Sequence, residues 1–428
     1  MTRTGAPIGE RSRFANARLG EIVFINLFFF FFSFQIFSPQ VGGVTLYLEY
    51  VVLALNPYFY AWLVKKRVTL RVAAGFLILL AYTALQPLEG IKFATVIAGT
   101  LALIYSFERG MFYAPFYLGV STLFAAVQFG LVVAGDPLLA AQFGPSNIAS
   151  LVWGSYATQT YTNFFTVFWF PRVSGLSREA GFFASYVLTM FLAVIVNHSI
   201  SRQRLRARST LTYAVAGVLS LSKSTLAFGI ALPFLRFRRY IDRLPMPAVA
   251  AAFMLTLVFA VNYATPFLLA PGNGSILGRV AGYALIDDLS FKQLVLGTDN
   301  VGNIDGYLAH VMSSRGSTLL AGVGGWFVEN GIIVFSAFVA ATYLLGIRSS
   351  GLLIILLITS TVGLNTNQNF CILAYYVAYM LRHAEVVKFA PLLRFGSRYR
   401  AGVTYSHQHQ VREFGCGIRL TKAPDADV

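Results

Sequence analysis

The sequence predicts an all-α polytopic membrane protein with about 12 transmembrane helices, and three observations carry that prediction. The chain is 57% hydrophobic and only 12% charged, whereas soluble domains carry roughly 25% charged residues. Apolar runs of about 20 residues, the length of a bilayer-crossing helix, recur from end to end. The alternating segments of about 10 residues that build a transmembrane β-barrel are absent. Finally, Lys and Arg gather in short clusters after every second apolar run: Arg3–Arg18, Lys65–Arg71, Arg109, Arg202–Arg208, Arg236–Arg243, Arg348, and the tail from Arg382 to Lys422. The positive-inside rule places all of these in the cytoplasm. The net charge of +16 therefore reads as topology and attraction to anionic lipid rather than as a nucleic-acid surface.

Taken in order, residues 1–21 form a cytoplasmic amino terminus, and 22–134 hold spans near 22–38, 44–63, 70–86, 92–107 and 111–134. The Phe-rich run Ile22–Phe37 reads as a retained span, because it is long and no small-x-small cleavage site follows it. Residues 135–178 form a first outward loop. Its aromatic stretch Leu151–Phe170 carries Ser155, Thr158, Gln159, Thr160, Thr162 and Asn163, which predicts an interfacial or re-entrant helix rather than a span.

The block 179–270 contains spans near 180–198 and 247–269, with the stretch 210–236 between them. Read as one span, that stretch would join two basic clusters across the membrane and centre Lys223 in hydrocarbon, at a cost of about 2.5–3.5 kcal/mol. Read as a short hairpin turning at Ser222-Lys223-Ser224, it restores the parity of the charges. A second outward loop covers 271–325, and 326–383 hold spans near 328–346, 351–364 and 370–382. Residues 384–428 form a basic cytoplasmic tail. Cys371 and Cys416, near a span and in the tail, do not make a disulfide framework.

Seven basic residues fall on the outward side: Lys92, Arg172, Arg178, Lys223, Arg279, Lys292 and Arg315. In the first loop Arg172, Arg178 and Glu179 precede a span. Guanidinium forks match phosphate oxygens, which suits an anionic lipid-linked ligand at a membrane mouth. The structural alternative is an interfacial anchor with an acidic helix cap. In the second loop Arg279 and Arg315 flank His310, the only histidine placed outside, whose titration range suits proton transfer. A lone loop histidine is more often a solvated one. Asp287-Asp288, without further ligands, reads as solvated loop. Lys223, within a span, is a functional candidate by default, against snorkelling to the interface. The amides of Asn365-Thr-Asn367-Gln-Asn369 suit sugar hydroxyls, or a polar turn.

At these residues the chain resembles the O-antigen polymerase and O-antigen ligase superfamily of bacterial inner-membrane glycosyltransferases. Arg172…Gly175…Glu179-Ala180-Gly181-Phe182 is similar to the family's Arg-x-x-Gly…Glu-Pro-Gly-Phe segment, with Ala180 in place of proline. Ser222-Lys223-Ser224 resembles its Ser-Arg-Ser/Thr turn, with Lys for Arg, which keeps a charge but loses the bidentate fork. Ser275…Arg279…Gly297 and Glu329-Asn-Gly331-Ile resemble the second-loop arginine and the start of the next span. The likeness covers roughly residues 110–385.

The resemblance implies a GT-C-like helical fold with two large periplasmic loops. It implies a multi-pass location in the bacterial inner membrane and an active site facing the periplasm. The substrate it implies is a polyprenyl-pyrophosphate-linked oligosaccharide, polymerised into surface or exopolysaccharide without a metal or other cofactor. Arg172, Arg279 and Arg315 would stabilise the pyrophosphate leaving group, supported by Arg178 and Lys223. Glu179 or His310 would deprotonate the acceptor hydroxyl, and the residues do not choose between them. Trp153, Tyr156, Tyr161 and Trp326 would stack on sugar faces, and Asn367 would bind hydroxyls. The expected partners are the lipid bilayer, a chain-length regulator and a flippase, with no nucleic acid. A ligase transferring a finished glycan shares these motifs. A transporter or flippase is the alternative of another class; the absence of an internal repeat weighs against it.

Overall fold

The computed structural model describes residues 19–42, 44–66, 69–160, 166–167, 170–201, 207–220, 236–269, 274–298, 300–314, 320–360, 362–364 and 366–384. Lys223 with its flanking serines, Arg315, Tyr161, Asn365, Cys416 and the basic tail lie outside these residues.

The described chain is mostly helical, with two small antiparallel hairpins, Gln40–Val41 with Val44–Thr45 and Thr166–Val167 with Phe170–Pro171. Five helices are long and apolar enough to cross a membrane: Pro87–Glu108, Ala114–Val133, Ala180–Ser201, Met246–Phe267 and Gly322–Leu344. Shorter apolar helices, including Leu19–Ser33, Leu70–Leu85 and Ser349–Thr359, pack among them. These are the proportions of an all-helical membrane protein.

Burial divides the long helices into two kinds. In Ala180–Ser201, 78% of the apolar window is enclosed by neighbours, against 22% in Met246–Phe267. The first is a core helix, packed on Asn369–Met380 and on Ala207–Ser220. The second turns Leu255, Phe259, Tyr263 and Phe267 outward and Ala250, Phe253, Met254 and Val261 inward. The outward residues recur every fourth position, so they form one stripe. A helix apolar on both faces needs a hydrocarbon surround for the face it does not bury.

The charges sort by end. At one end Glu21 accepts from Tyr105 Oη at 2.6 Å and pairs with Arg109 at 2.9 Å. Lys66 pairs there with Glu108 at 2.7 Å, and Trp62 Nε1 donates to the same carboxylate at 2.8 Å. Asp242 lies between Arg238 at 3.7 Å and Arg348 at 3.9 Å, and Arg238 donates to the Ala384 carbonyl at 2.7 Å. Lys66 and Arg109 are thus held by acidic partners, and Arg238 and Arg348 meet around Asp242. Arg172, Arg178 and Arg279 lie at the opposite end.

Several elements differ from the sequence expectation. The span expected over 44–63 is two helices, Leu48–Ala54 and Pro57–Val64. Pro57 has no N–H to continue a helix, and Asn56 Oδ1 caps the second by accepting from the amides of Tyr58 and Phe59 at 3.0 and 3.2 Å. The helix expected within Leu151–Phe170 is instead the end of Pro145–Trp153, a 3₁₀ turn at Gly154–Tyr156, and the hairpin at Thr166–Pro171. Gly154, at φ +56°, closes the helix there. The second outward loop is not a solvated coil. It contains the helices Gly274–Leu285, Phe291–Leu296 and Tyr307–Ser314.

The span expected at 328–346 begins earlier, at Gly322, and breaks at Gly331, whose φ of +69° is outside the helical region. The loop segment Val295–Gly297 packs into this break: a Cβ on Gly331 would lie 2.5 Å from the Val295 carbonyl oxygen. The Thr298 amide donates to the Val328 carbonyl at 2.9 Å, which in a continuous helix would accept from Ile332. The second loop thereby re-satisfies backbone that the kink exposes, as broken helices at membrane depth require.

Candidate functional site

Arg172, Glu179 and Arg279 converge at the end of the bundle opposite the basic clusters. Arg279 Nη2 lies 3.3 Å from Glu179 Oε1. Arg172 is close enough to both that each acts on its charge. Burial pushes the Arg172 guanidinium below its ordinary range, Glu179 draws it back up, and Arg279 pushes it down again. Among the described residues, Glu179 thus acts on both guanidiniums.

Each member is placed by a separate local device. Arg172 directly follows the second hairpin and precedes Val173, fully buried, whose amide donates to the Leu219 carbonyl at 3.3 Å. Gly175 then turns the chain at φ +54°. Buried Gln128 clamps this turn, its Oε1 accepting from the Gly175 amide at 3.0 Å and its Nε2 donating to the Gly175 carbonyl at 2.9 Å. A Cβ at 175 would lie 2.6 Å from the Ser121 carbonyl oxygen, so the motif's glycine is required by both conformation and space. Glu179 immediately precedes Ala180–Ser201, and its carbonyl accepts from the Phe183 amide at 3.0 Å. Arg279 sits on Gly274–Leu285, which packs on the first half of the kinked helix Gly322–Leu344. The Ala321 amide donates to the Gly278 carbonyl at 2.9 Å, and Tyr283 Oη to the Ser360 carbonyl at 3.3 Å.

The Glu179–Arg279 pair has side-chain exposures of 26% and 40%. An ion pair this open adds at most about 1 kcal/mol to stability. It is therefore easily exchanged, and a diphosphate offers Arg279 a bidentate partner that a single carboxylate contact does not.

The other sequence candidates lie elsewhere. Arg178 donates to Thr158 Oγ1 at 2.7 Å and, at 3.4 Å each, to Thr45 Oγ1, Tyr47 Oη and the Gln159 carbonyl. It straps the first loop to the first hairpin, so its donors are largely committed. Trp326 is 4% exposed and lies among Tyr82, Phe93, Phe335 and Phe338. The expectation that it stacks on sugar is corrected: it is a core aromatic, because the helix carrying it starts four residues earlier and its first part, Gly322–Val328, is buried. Trp153 donates Nε1 to the Phe37 carbonyl at 2.9 Å, and Tyr156 is exposed. His310 is exposed on Tyr307–Ser314, and no ion pair among the described residues joins it to Glu179. Lys92 pairs with Glu89 at 2.5 Å, and Asp287 accepts from Asn262.

Asn367 belongs to a polar network that the sequence reading passed over. Its Oδ1 accepts from Thr95 Oγ1 at 2.8 Å, and its carbonyl accepts from Gln35 Nε2 at 2.9 Å. The same Gln35 Nε2 donates to Glu49 Oε1 at 3.1 Å. Glu49 is fully buried. Its signal was present: a lone carboxylate in the apolar run Leu46–Leu55 is itself a functional hypothesis.

Comparison with protein-family models, with curated proteins and with solved structures finds no match for this chain.

Proposed function

We propose that this chain is an inner-membrane glycosyltransferase that polymerises oligosaccharide repeats carried on a polyprenyl pyrophosphate. What carries the reading is the meeting of Arg172, Glu179 and Arg279, from two loops, beside the ends of apolar helices. In the reaction an acceptor hydroxyl oxygen bonds to the anomeric carbon of the donor sugar. The bond from that carbon to the phosphate oxygen breaks, and the lipid pyrophosphate departs with its electron pair. Arg172 and Arg279 would stabilise the negative charge that grows on the leaving group. Glu179, held within their field, is the base that takes the hydroxyl proton, in preference to His310 on its exposed helix.

The same reading takes the arginine end as periplasmic, with about twelve spans and both termini in the cytoplasm. Support comes from the two sides of the stretch 221–235. The Leu219 carbonyl meets Val173 at the arginine end, while Arg238 meets Ala384 and Asp242 at the other. The described residues on the two sides of that stretch therefore lie at opposite ends of the bundle, which supports an even number of crossings over 210–236.

The test is a clean deletion complemented with wild type, Arg172→Ala or Arg279→Ala, with analysis of surface glycan and lipid-linked intermediates. The polymerase reading expects loss of polymer, single lipid-linked repeats retained on the outer face, and no rescue by either variant despite normal protein levels. Normal chain length without attachment would instead make it a ligase. Repeats confined to the cytoplasmic face would make it a transporter.

A further inference from the structure

Beside Arg178 a narrow recess is lined by Ser33, Gln35, Ser177, Phe182, Gln368 and Asn369. We propose that it is a carbohydrate subsite that takes one hydroxyl or hydroxymethyl arm of a sugar, with Gln35 as the acceptor and Glu49 as the residue that orients Gln35. The choice of a sugar rests on the glycosyltransferase reading above.

The orientation of Gln35 follows from its partners. Its Nε2 has two hydrogens, and both are taken, one by Glu49 Oε1 at 3.1 Å and one by the Asn367 carbonyl at 2.9 Å. Both partners are acceptors, so the amide cannot be turned round: its nitrogen must face them. Gln35 is left to present its carbonyl oxygen, and it lines the recess. That oxygen can only accept, so it calls for a ligand hydroxyl that donates. Gln368, Asn369, Ser33, Ser177 and Phe182 border the same space; Ser33 Oγ is hydrogen-bonded to Tyr186 Oη at 2.8 Å and Asn369 Nδ2 donates to the Phe32 carbonyl at 3.2 Å, which fixes both side chains. Amides, hydroxyls and an aromatic face together match the alternating polar and apolar surface of a sugar.

Glu49 is an expensive way to hold one glutamine if nothing binds there. It is 0% exposed, and its Oε2 is enclosed without a hydrogen-bond partner among the described residues. A buried polar group left without a partner is destabilising. The Glu49 carboxyl holds the Gln35 amide through its Oε1. The size of the recess sets the ligand: as it stands it has room for about one water-sized group. It therefore receives a substituent of the sugar rather than a whole ring, while the ring stays at the mouth.

The experiment uses the full-length protein in lipid nanodiscs and two probes. The first is a panel of methyl glycosides with their monodeoxy counterparts, read by saturation-transfer NMR. The second is geranylgeranyl pyrophosphate, read by titration. In wild type one glycoside should saturate, and its deoxy form, lacking the donated hydroxyl, should bind at least about tenfold more weakly. Gln35→Ala and Gln35→Met should abolish that discrimination and leave isoprenyl pyrophosphate binding unchanged. Glu49→Gln, which keeps the shape and one acceptor, should retain part of it, whereas Glu49→Ala should lose it. Arg279→Ala should do the converse, losing the pyrophosphate and keeping the glycoside.

No glycoside binding in wild type, or equal discrimination in wild type and both Gln35 variants, overturns the subsite. Glycoside binding without any pyrophosphate binding leaves the subsite standing and removes the transferase reading on which the sugar assignment rests.

Discussion

Replacing Arg279 with lysine separates the site's chemistry from the protein's stability. The substitution keeps a positive charge but removes the planar fork, so a diphosphate held by two parallel N–H···O bonds would be held by one ammonium. Loss of one well-aimed donor to a developing oxyanion typically costs about 10²–10³ in turnover, or about 2.7–4 kcal/mol of barrier. The ground-state cost is much smaller. The Glu179–Arg279 contact is a single one of 3.3 Å between groups exposed by 26% and 40%, and such pairs add at most about 1 kcal/mol. Arg279→Lys should therefore lower polymer formation per molecule by about two to three orders of magnitude. Its thermal midpoint in detergent should stay close to wild type. The assay is polymer made by purified protein from lipid-linked repeats, with unfolding followed by intrinsic fluorescence on the same preparations. Wild-type turnover in Arg279→Lys would refute the leaving-group role. A large fall in the midpoint matching the fall in activity would assign Arg279 to the fold instead.

The remaining predictions concern the scaffold. Trp326→Ala should destabilise by about 3–5 kcal/mol through the cavity left among Tyr82, Phe93, Phe335 and Phe338. Detergent melting checks this, and an unchanged midpoint would mean that Trp326 is not packed as described. Gly175→Ala forces a side chain into φ +54° and sets its Cβ 2.6 Å from the Ser121 carbonyl oxygen; it should cost at least about 1–2 kcal/mol and displace Arg172. Loss of polymer together with a lowered midpoint is expected, and a stable, active Gly175→Ala protein would contradict the clamp by Gln128. Single cysteines replacing Thr160 and Asn300, in a background lacking Cys371 and Cys416, should react with an impermeant maleimide from the periplasmic side, and a cysteine replacing Arg109 should not. The reverse pattern would invert the topology.

How much of this was legible beforehand varies by element. The breaks at Asn56-Pro57 and Gln86-Pro87 follow from local rules, since proline lacks the N–H that a continuing helix needs; only the second entered the sequence reading. Gly175 and Gly331 belong to recognisable segments, but nothing local says that Gln128 would clamp one or that Val295–Gly297 would pack into the other. Arg178 and Trp326 were chosen by residue type and loop position. One proved committed to Thr158 and the other enclosed by rings, because burial depends on neighbours distant in the chain. Glu49 was overlooked because one carboxylate barely changes the hydropathy of an apolar run.

Sequence by itself determined the helical class and the presence of helices long and apolar enough to cross a membrane. Those properties are set residue by residue, through transfer of side chains to hydrocarbon and the need to satisfy every backbone hydrogen bond within a span. Tertiary structure alone decided that Arg279 meets Glu179, 100 positions away, with Arg172 beside them, while His310 stays exposed. It also decided that Gln35 must turn its carbonyl oxygen away from Glu49. The physical reason is common to both: a side chain's partners are fixed by how helices pack, and packing joins surfaces that no local pattern relates.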